Sequence, residues 1–181
     1  MIFFTGDLHL NHSNIITYAN RPFEDVWDMN DTIIKQWNER VKENDTIFIV
    51  GDFGFRMKIG DQTIKPIAFL DYSLNGNKIL ISGNHDNRNN VSTIIESMVI
   101  KYGGEQIKLV HDPKYADKKY KFNFCCHTHK SPIFQKINME NEPESYIINV
   151  GMDLWNFYPI TFNEIMHKFS QWRKQHENKK T

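Results

Sequence analysis

Short polar motifs rich in Asp, His and Asn recur along the chain, each directly after a run of β-forming residues. Gly6-Asp7-Leu8-His9 follows Met1 to Thr5, Gly51-Asp52 follows Thr46 to Val50, and Gly83-Asn84-His85-Asp86 follows Lys78 to Ser82. His111 comes after Gln106 to Val110, and His127-Thr128-His129 comes after Tyr120 to Cys126. Asp, His and Asn together form the nitrogen and oxygen donor set that suits divalent Mn, Fe or Zn, with too few thiolates for structural zinc. Alternate residues of a strand project to one side, so Asp7 and His9 would grip one ion, and His127 and His129 repeat the spacing. With Asp52 available to bridge, the donors suffice for two ions about 3.5–4 Å apart, the arrangement of two-metal hydrolysis. Glycines before Asp52 and Asn84 would let the chain turn tightly there. Taken singly, an Asp-x-His or a Gly-Asp is an ordinary turn. Five such fragments at successive strand ends point instead to one site, because strand C-termini on one edge of layered sheets converge.

The elements that must position these residues are also legible. A sixth β-forming run covers Tyr146 to Val150. Thr46 to Val50 is continuously apolar and predicts a strand buried on both faces, whereas Lys119 to Phe124 alternates as a half-exposed strand would. Met29, Ile33, Trp37 and Val41 repeat every four residues and predict a helix over Asp28 to Val41, capped by Asp28. Phe162, Ile165, Met166, Phe169 and Trp172 predict a second helix, with Thr161 and Glu164 at capping-box spacing. The polar, basic stretch from residue 173 to 181 is expected to fray. Strands alternating with helices, without repeats or a linker, indicate one α/β domain over residues 1–181.

The 181 residues carry 22 Lys plus Arg and 22 Asp plus Glu, a formal net charge of zero. That balance argues against a broad surface for extended nucleic acid or for a membrane, both of which need an excess of one sign. No apolar run approaches the ~20 residues of a membrane span, and Met1 to Thr5 lacks the basic flank of a leader. Cys125 and Cys126 are adjacent, where a disulfide would be strained, so a reducing cytoplasmic setting is expected.

The order Asp-x-His, Gly-Asp, Gly-Asn-His-Asp, His, His-Thr-His resembles the calcineurin-like metallophosphoesterase superfamily, and most of all its small bacterial and phage-type members. Asp7 to His12, Asn20-Arg21-Pro22-Phe23, Trp37-Asn38 and Asn149 to Trp155 share in the likeness. The resemblance implies a four-layer α/β/β/α sandwich with a dinuclear metal centre at the strand C-terminal ends. Position by position, it implies that Asp7, His9 and His129 hold one metal, that Asn84, His111 and His127 hold the other, and that Asp52 bridges them. Manganese is the foremost candidate, with Fe, Zn, Ni or Mg as alternatives. Cys126 stands where the family usually has Gly, and would be either a buried thiol or a ligand.

The implied reaction is hydrolysis of a small phosphate ester, a diester or monoester, with nucleotide-like substrates among the candidates. A hydroxide made by the two ions would attack phosphorus, and His85, oriented by Asp86, would protonate the departing oxygen. His12 and Arg21 would line the substrate side, and Arg56 and Arg88 would reach it. Trp155, Phe157 and Tyr158 would either stack on a nucleobase or pack the last helix, and His167 and His176 would face solvent on that helix. The competing readings are a nuclease, which the neutral charge disfavours, and a catalytically inactive interaction scaffold, which broken ligands or a missing acid histidine would betray.

Overall fold

The computed structural model describes residues 1–66, 73–89, 91, 93–130, 132–137 and 143–177. Strands β1 (Ile2–Thr5), β2 (Thr46–Val50) and β5 (Asn77–Ile81) run parallel in one sheet, and the short β11 (Ile160–Thr161) pairs antiparallel with β1. A second sheet has the order β6 (Ser97–Tyr102), β7 (Glu105–Val110), β8 (Phe122–Cys125), β10 (Tyr146–Asn149), β9 (Phe134–Lys136). Within it β7, β8 and β10 are parallel, while β6 and β9 flank them antiparallel. A hairpin of β3 (Met57–Ile59) and β4 (Gln62–Ile64) stands apart from both sheets. Each sheet therefore delivers three parallel strand ends to the site.

The alternation of side chains explains the layers. Phe3, Ile47 and Ile49 point to one face of the first sheet, where Met29, Ile33 and Trp37 of α2 (Val26–Arg40) and Ile15 of α1 (Ser13–Ala19) cover them. Phe4, Phe48 and Val50 point to the other face and meet Leu109, Phe124 and Ile148 of the second sheet. The third helix, α3 (Phe162–Glu177), adds Ile165 and Phe169 to that cluster, with Phe169 against Phe122, Phe134 and Tyr146. This is the expected α/β/β/α sandwich, and β2 is buried on both faces as its continuous apolar run requires.

Several local details differ from the sequence reading. The N-cap of α2 is Asp25 and not Asp28: its carboxylate accepts from the N–H groups of Trp27 and Asp28, so the helix begins at Val26. The alternation in Lys119 to Phe124 does not mark a half-exposed strand. Asn123 is fully buried, because its amide donates to the carbonyls of Asp117 and Tyr120 and so satisfies the loop that covers it. The capping box holds, with Thr161 N–H donating to Glu164 at 2.8 Å. Beyond residue 173, where fraying is expected, α3 continues to Glu177 and Arg173 pairs with Glu144 at 3.3 Å. Residues 178–181 lie outside the described residues.

Candidate metal centre

The loops after β1, β2, β5, β7 and β8 meet at one end of the two sheets. Asp7, His9 and His129 each offer a donor atom within 4.8 Å of the other two, and Asp52, His111 and His127 do the same. Asn84 joins the second group: its Oδ1 lies 3.0 Å from His111 Nε2 and 3.1 Å from His127 Nδ1. Asp52 lies between the groups, with Oδ2 3.6 Å from His9 Nε2 and 3.3 Å from His111 Nε2. All seven expected ligands thus converge, in the two sets that the resemblance implies.

Their convergence does not come from strand alternation. Asp7, His9, Asp52, His127 and His129 sit past the strand ends with φ of 53°, 52°, 51°, 75° and 47°. Left-handed backbone at a non-glycine residue costs on the order of 1 kcal/mol each, and it persists only where the surroundings enforce it. Here the loops are laced together. Asp7 N–H donates to Gly51 O at 3.1 Å, His9 N–H to Asp52 O at 3.0 Å, and Cys126 N–H to His111 O at 2.9 Å. Asn30 of α2 exchanges two hydrogen bonds with Asn11, anchoring the far end of the first loop.

Two donor atoms in the first group, Asp7 Oδ1 and His9 Nε2, are buried without a hydrogen-bond partner. Leaving such groups unsatisfied costs about 1–3 kcal/mol each, so their chemistry fits a cation placed between them. Two of the ligand histidines have a ring nitrogen held by an oxygen acceptor, as is usual for metal-binding imidazoles. His111 Nδ1 is 2.9 Å from Val50 O, which leaves its Nε2 toward Asp52 and Asn84, and His129 Nδ1 is 2.8 Å from Asp153 Oδ2, which fixes that ring.

Electrostatics separates the groups. Burial raises Asp7 to about 6, although His111 and His129 pull it down. Burial also drives His9 well below its usual value, keeping it neutral. Burial works against ionised Asp52 as well, but the hydrogen bond and charge of His111 outweigh it and lower Asp52 to about 2. In return His111, despite burial, rises to about 9 through Asp52 and Asp7.

Three expectations need correction. Asp86 does not orient His85: its carboxylate accepts from the backbone N–H groups of Asp52, Phe53 and Gly83 at 3.0, 2.9 and 2.8 Å, clamping two ligand loops together. Arg21 does not face substrate. Its side chain is 0% exposed, and it donates to the carbonyls of Asp7 and Leu8 and, through Nε and Nη2, to both oxygens of Asp153. Arg56 turns to the carbonyl of Arg88. Of the expected substrate-side residues, His12 does lie at the site, stacked on Phe55 at 3.9 Å and 3.2 Å from His9 between their Nδ1 atoms. Burial and then His85 lower His12 to about 4.

The ring of His85 lies 5.7 Å from that of His9 and 5.3 Å from that of Phe55, while its N–H donates to Asp52 Oδ1 at 2.9 Å. Cys126 is fully buried in the core, and burial pushes its thiol well above the usual range, so it is a packing residue and not a ligand. Trp155 and Phe157 also pack, Trp155 donating to Asn149 O and Phe157 meeting Phe23. His167 and His176 are exposed on α3.

Asp153 is the residue that the motif reading passed over. It stands in a quoted stretch, Asn149 to Trp155, but only the fold brings it to His129 and Arg21.

Residues 1–173 match the calcineurin-like phosphoesterase family. An uncharacterized protein of Methanocaldococcus jannaschii, MJ1445, is 33% identical over 168 residues, which span 91% of this chain and 89% of that protein. The gene 66 protein of Mycobacterium phage L5 is 34% identical over 83 residues, 46% of this chain and 38% of its own length. Among solved structures, AQ665 of Aquifex aeolicus, a protein of unknown function, shares the fold with a TM-score of 0.65 at 21% identity, covering 92% of this chain and 98% of its own. No helix among the described residues is long and apolar enough to cross a membrane. The chain belongs to the calcineurin-like phosphoesterase family, and the reaction class that goes with its donor set is metal-dependent hydrolysis of phosphate esters.

Proposed function

We propose that this protein hydrolyses a small phosphate ester, diester or monoester, at a dinuclear centre held by Asp7, His9 and His129 on one side and Asn84, His111 and His127 on the other. Asp52 is shared by both. The observation that carries this reading is the position of Asp52 Oδ2 between the two groups, 3.6 Å from the unsatisfied Nε2 of His9 and 3.3 Å from Nε2 of His111. Divalent ions held there, manganese foremost, supply Lewis acidity toward the phosphoryl oxygens and make water a usable nucleophile near neutral pH.

The chain's own residues do the rest. His85 is half-buried beside His9, with its backbone fixed by Asp52, and serves as the proton donor to the departing oxygen. Asp86 contributes by holding the loops that carry Asp52 and Asn84 in register. His12, kept neutral, presents its ring on the substrate side without adding charge. The buried free thiols Cys125 and Cys126 suit a reducing cytoplasmic compartment.

The test is turnover of bis-p-nitrophenyl phosphate and p-nitrophenyl phosphate with Mn, Ni, Zn or Mg added to chelator-treated protein. Metal-restored hydrolysis is expected, and the ratio of the two rates assigns diester or monoester preference. Absence of turnover with every metal would overturn the reading.

A further inference from the structure

The second sheet ends in two unlike edges. Strand β9 has three residues, a length that protects an edge from further pairing, whereas β6 has six. β6 pairs residue for residue with β7, from Ser97↔Val110 to Tyr102↔Glu105, with neither a bulge nor a proline to blunt it. The hairpin decides which of its backbone groups are left over. Gly103 and Gly104, at φ 61° and 80°, form a two-residue turn, which makes Tyr102 and Glu105 a hydrogen-bonded pair. Every second pair back along the ladder, Ile100–Ile107 and Met98–Leu109, is then hydrogen-bonded too. The N–H and C=O groups of Ser97, Val99 and Lys101 therefore point away from β7, and no strand among the described residues pairs with them. Their side chains are exposed as well, Val99 at 45%, and Ile94 just ahead of them is 98% exposed. An open edge flanked by exposed apolar groups is where another strand adds.

The strand that fits this edge is β6 of a second copy. Only residues with outward-facing N–H and C=O groups exchange hydrogen bonds, so antiparallel registers must join 97, 99 and 101 among themselves. Placing Val99 against Val99 on a two-fold axis uses all three, as Ser97–Lys101, Val99–Val99 and Lys101–Ser97, while a shift of two residues either way loses one of these pairs. In this register Met98 meets the partner's Ile100 on the face toward the core, and Ile94 comes against the partner's Gly103-Gly104 turn. Charges agree with it. Lys101 faces the partner's Ser97, and next to that stands the partner's Glu96; both charged groups are exposed and without an ion pair among the described residues. A parallel in-register neighbour would instead stack Lys101 on Lys101. Glu96 and Ser97 also line a cavity of about 510 Å³ walled by the ligands Asn84 and His111.

We propose that two copies of this chain pair antiparallel through β6, merging their second sheets and bringing the partner's Lys101 beside Glu96 and Ser97 at the rim of each cavity. The proposal is independent of the phosphoesterase reading.

Sedimentation of the full chain tests it. Wild type should pass from monomer to dimer as concentration rises, with a Kd on the order of 10 µM. Val99→Pro should stay monomeric, because the substituted nitrogen faces the open edge and the β6–β7 ladder keeps its bonds. Lys101→Glu should raise the Kd about tenfold by setting like charges together, and adding Glu96→Lys should restore it. Ser97→Cys and Lys101→Cys chains, whose Cα atoms would stand about 5.5 Å apart across the axis, should form a covalent dimer when mixed and oxidised, and neither should do so alone. A monomer up to about 1 mM, a dimer that survives Val99→Pro, or crosslinking of either chain with itself overturns the proposal. Failure of the mixture to crosslink while wild type is dimeric overturns it too. Should Val99→Pro lose its fold, Lys101→Glu decides in its place, and an unchanged Kd sinks the pairing.

Discussion

Asp7 and His9 lie deep in the fold with half-buried His129 braced by Asp153 and, through it, Arg21, whereas the second group, with Asp52 and His111 buried and His127 half-buried, opens to solvent through exposed Asn84. The first group buries donors that nothing else satisfies, and its histidine His9 is neutral. The second compensates its buried carboxylate internally, through the Asp52–His111 pair. One half is therefore a set of unpaired donors held rigid by its neighbours. The other is an ion pair in which a metal must displace a proton. The difference teaches that two donor sets of equal burial are prepared for an ion in different ways, one by leaving donors unpaired and the other by pairing them with each other.

Asp52 belongs to both halves, so its loss should have the largest effect. Asp52→Asn is expected to reduce bound metal below two per chain and activity on the order of 1,000-fold, read by elemental analysis and steady-state rates. A variant retaining two ions would break the assignment of a shared ligand. His85→Asn should lower kcat by about 100-fold while both ions stay bound; an unchanged rate would remove His85 from the mechanism.

Asp153→Asn acts on the deep half only. Metal affinity there should fall by about 10–100-fold with the open half unaffected, as resolved by two-site calorimetry. Equal weakening of both sites would mean that Asp153 supports the fold as a whole.

The open half should answer to pH. His111 is raised from 6.5 to about 9, so its charged form stabilises the metal-free fold below pH 6.5, and that contribution is lost as pH rises through 9. The same proton opposes metal binding, so affinity at this half should rise by about tenfold per pH unit between 7 and 9 and then level off. Melting of chelated protein over that range should show the opposite slope. A flat affinity profile would place the proton elsewhere. The smallest effect belongs outside both halves: Asp25→Ala should remove the cap of α2 and cost about 1 kcal/mol, seen as a lower urea midpoint with unchanged slope.

Legibility in the sequence followed the range of the interactions. The six β-forming runs were legible because burial on one or both faces leaves a local signature, and so was α3, whose capping box spans only three residues. Strand β6 was overlooked although Met98, Ile100 and Tyr102 alternate before Gly103-Gly104, a hairpin signal whose φ values are 61° and 80°. Helix α1 left little trace, since it buries only Ile15 and carries no side-chain cap. Its function is positional: Asn20, at φ 54°, ends it and turns the chain so that Arg21 enters the interior.

The chemistry of the site was fixed by residue type and order, because donor atoms and the apolar runs before them are properties of short segments. Asp, His and Asn at successive strand ends determined the donor set and carried the resemblance to the family, and the resemblance implied its division into two groups. Tertiary structure decided what those side chains touch. Arg21 and Asp153 are 132 residues apart in the chain, and their salt bridge at 2.8 Å turns an arginine that looked suited to phosphate into a brace for the first metal loop. Asp86 became a clamp on backbone amides for the same reason, since the groups it satisfies, at Asp52 and Phe53, come from another strand's loop. Hydrogen-bond partners of buried polar groups are chosen by packing in three dimensions, and no spacing along the chain specifies them.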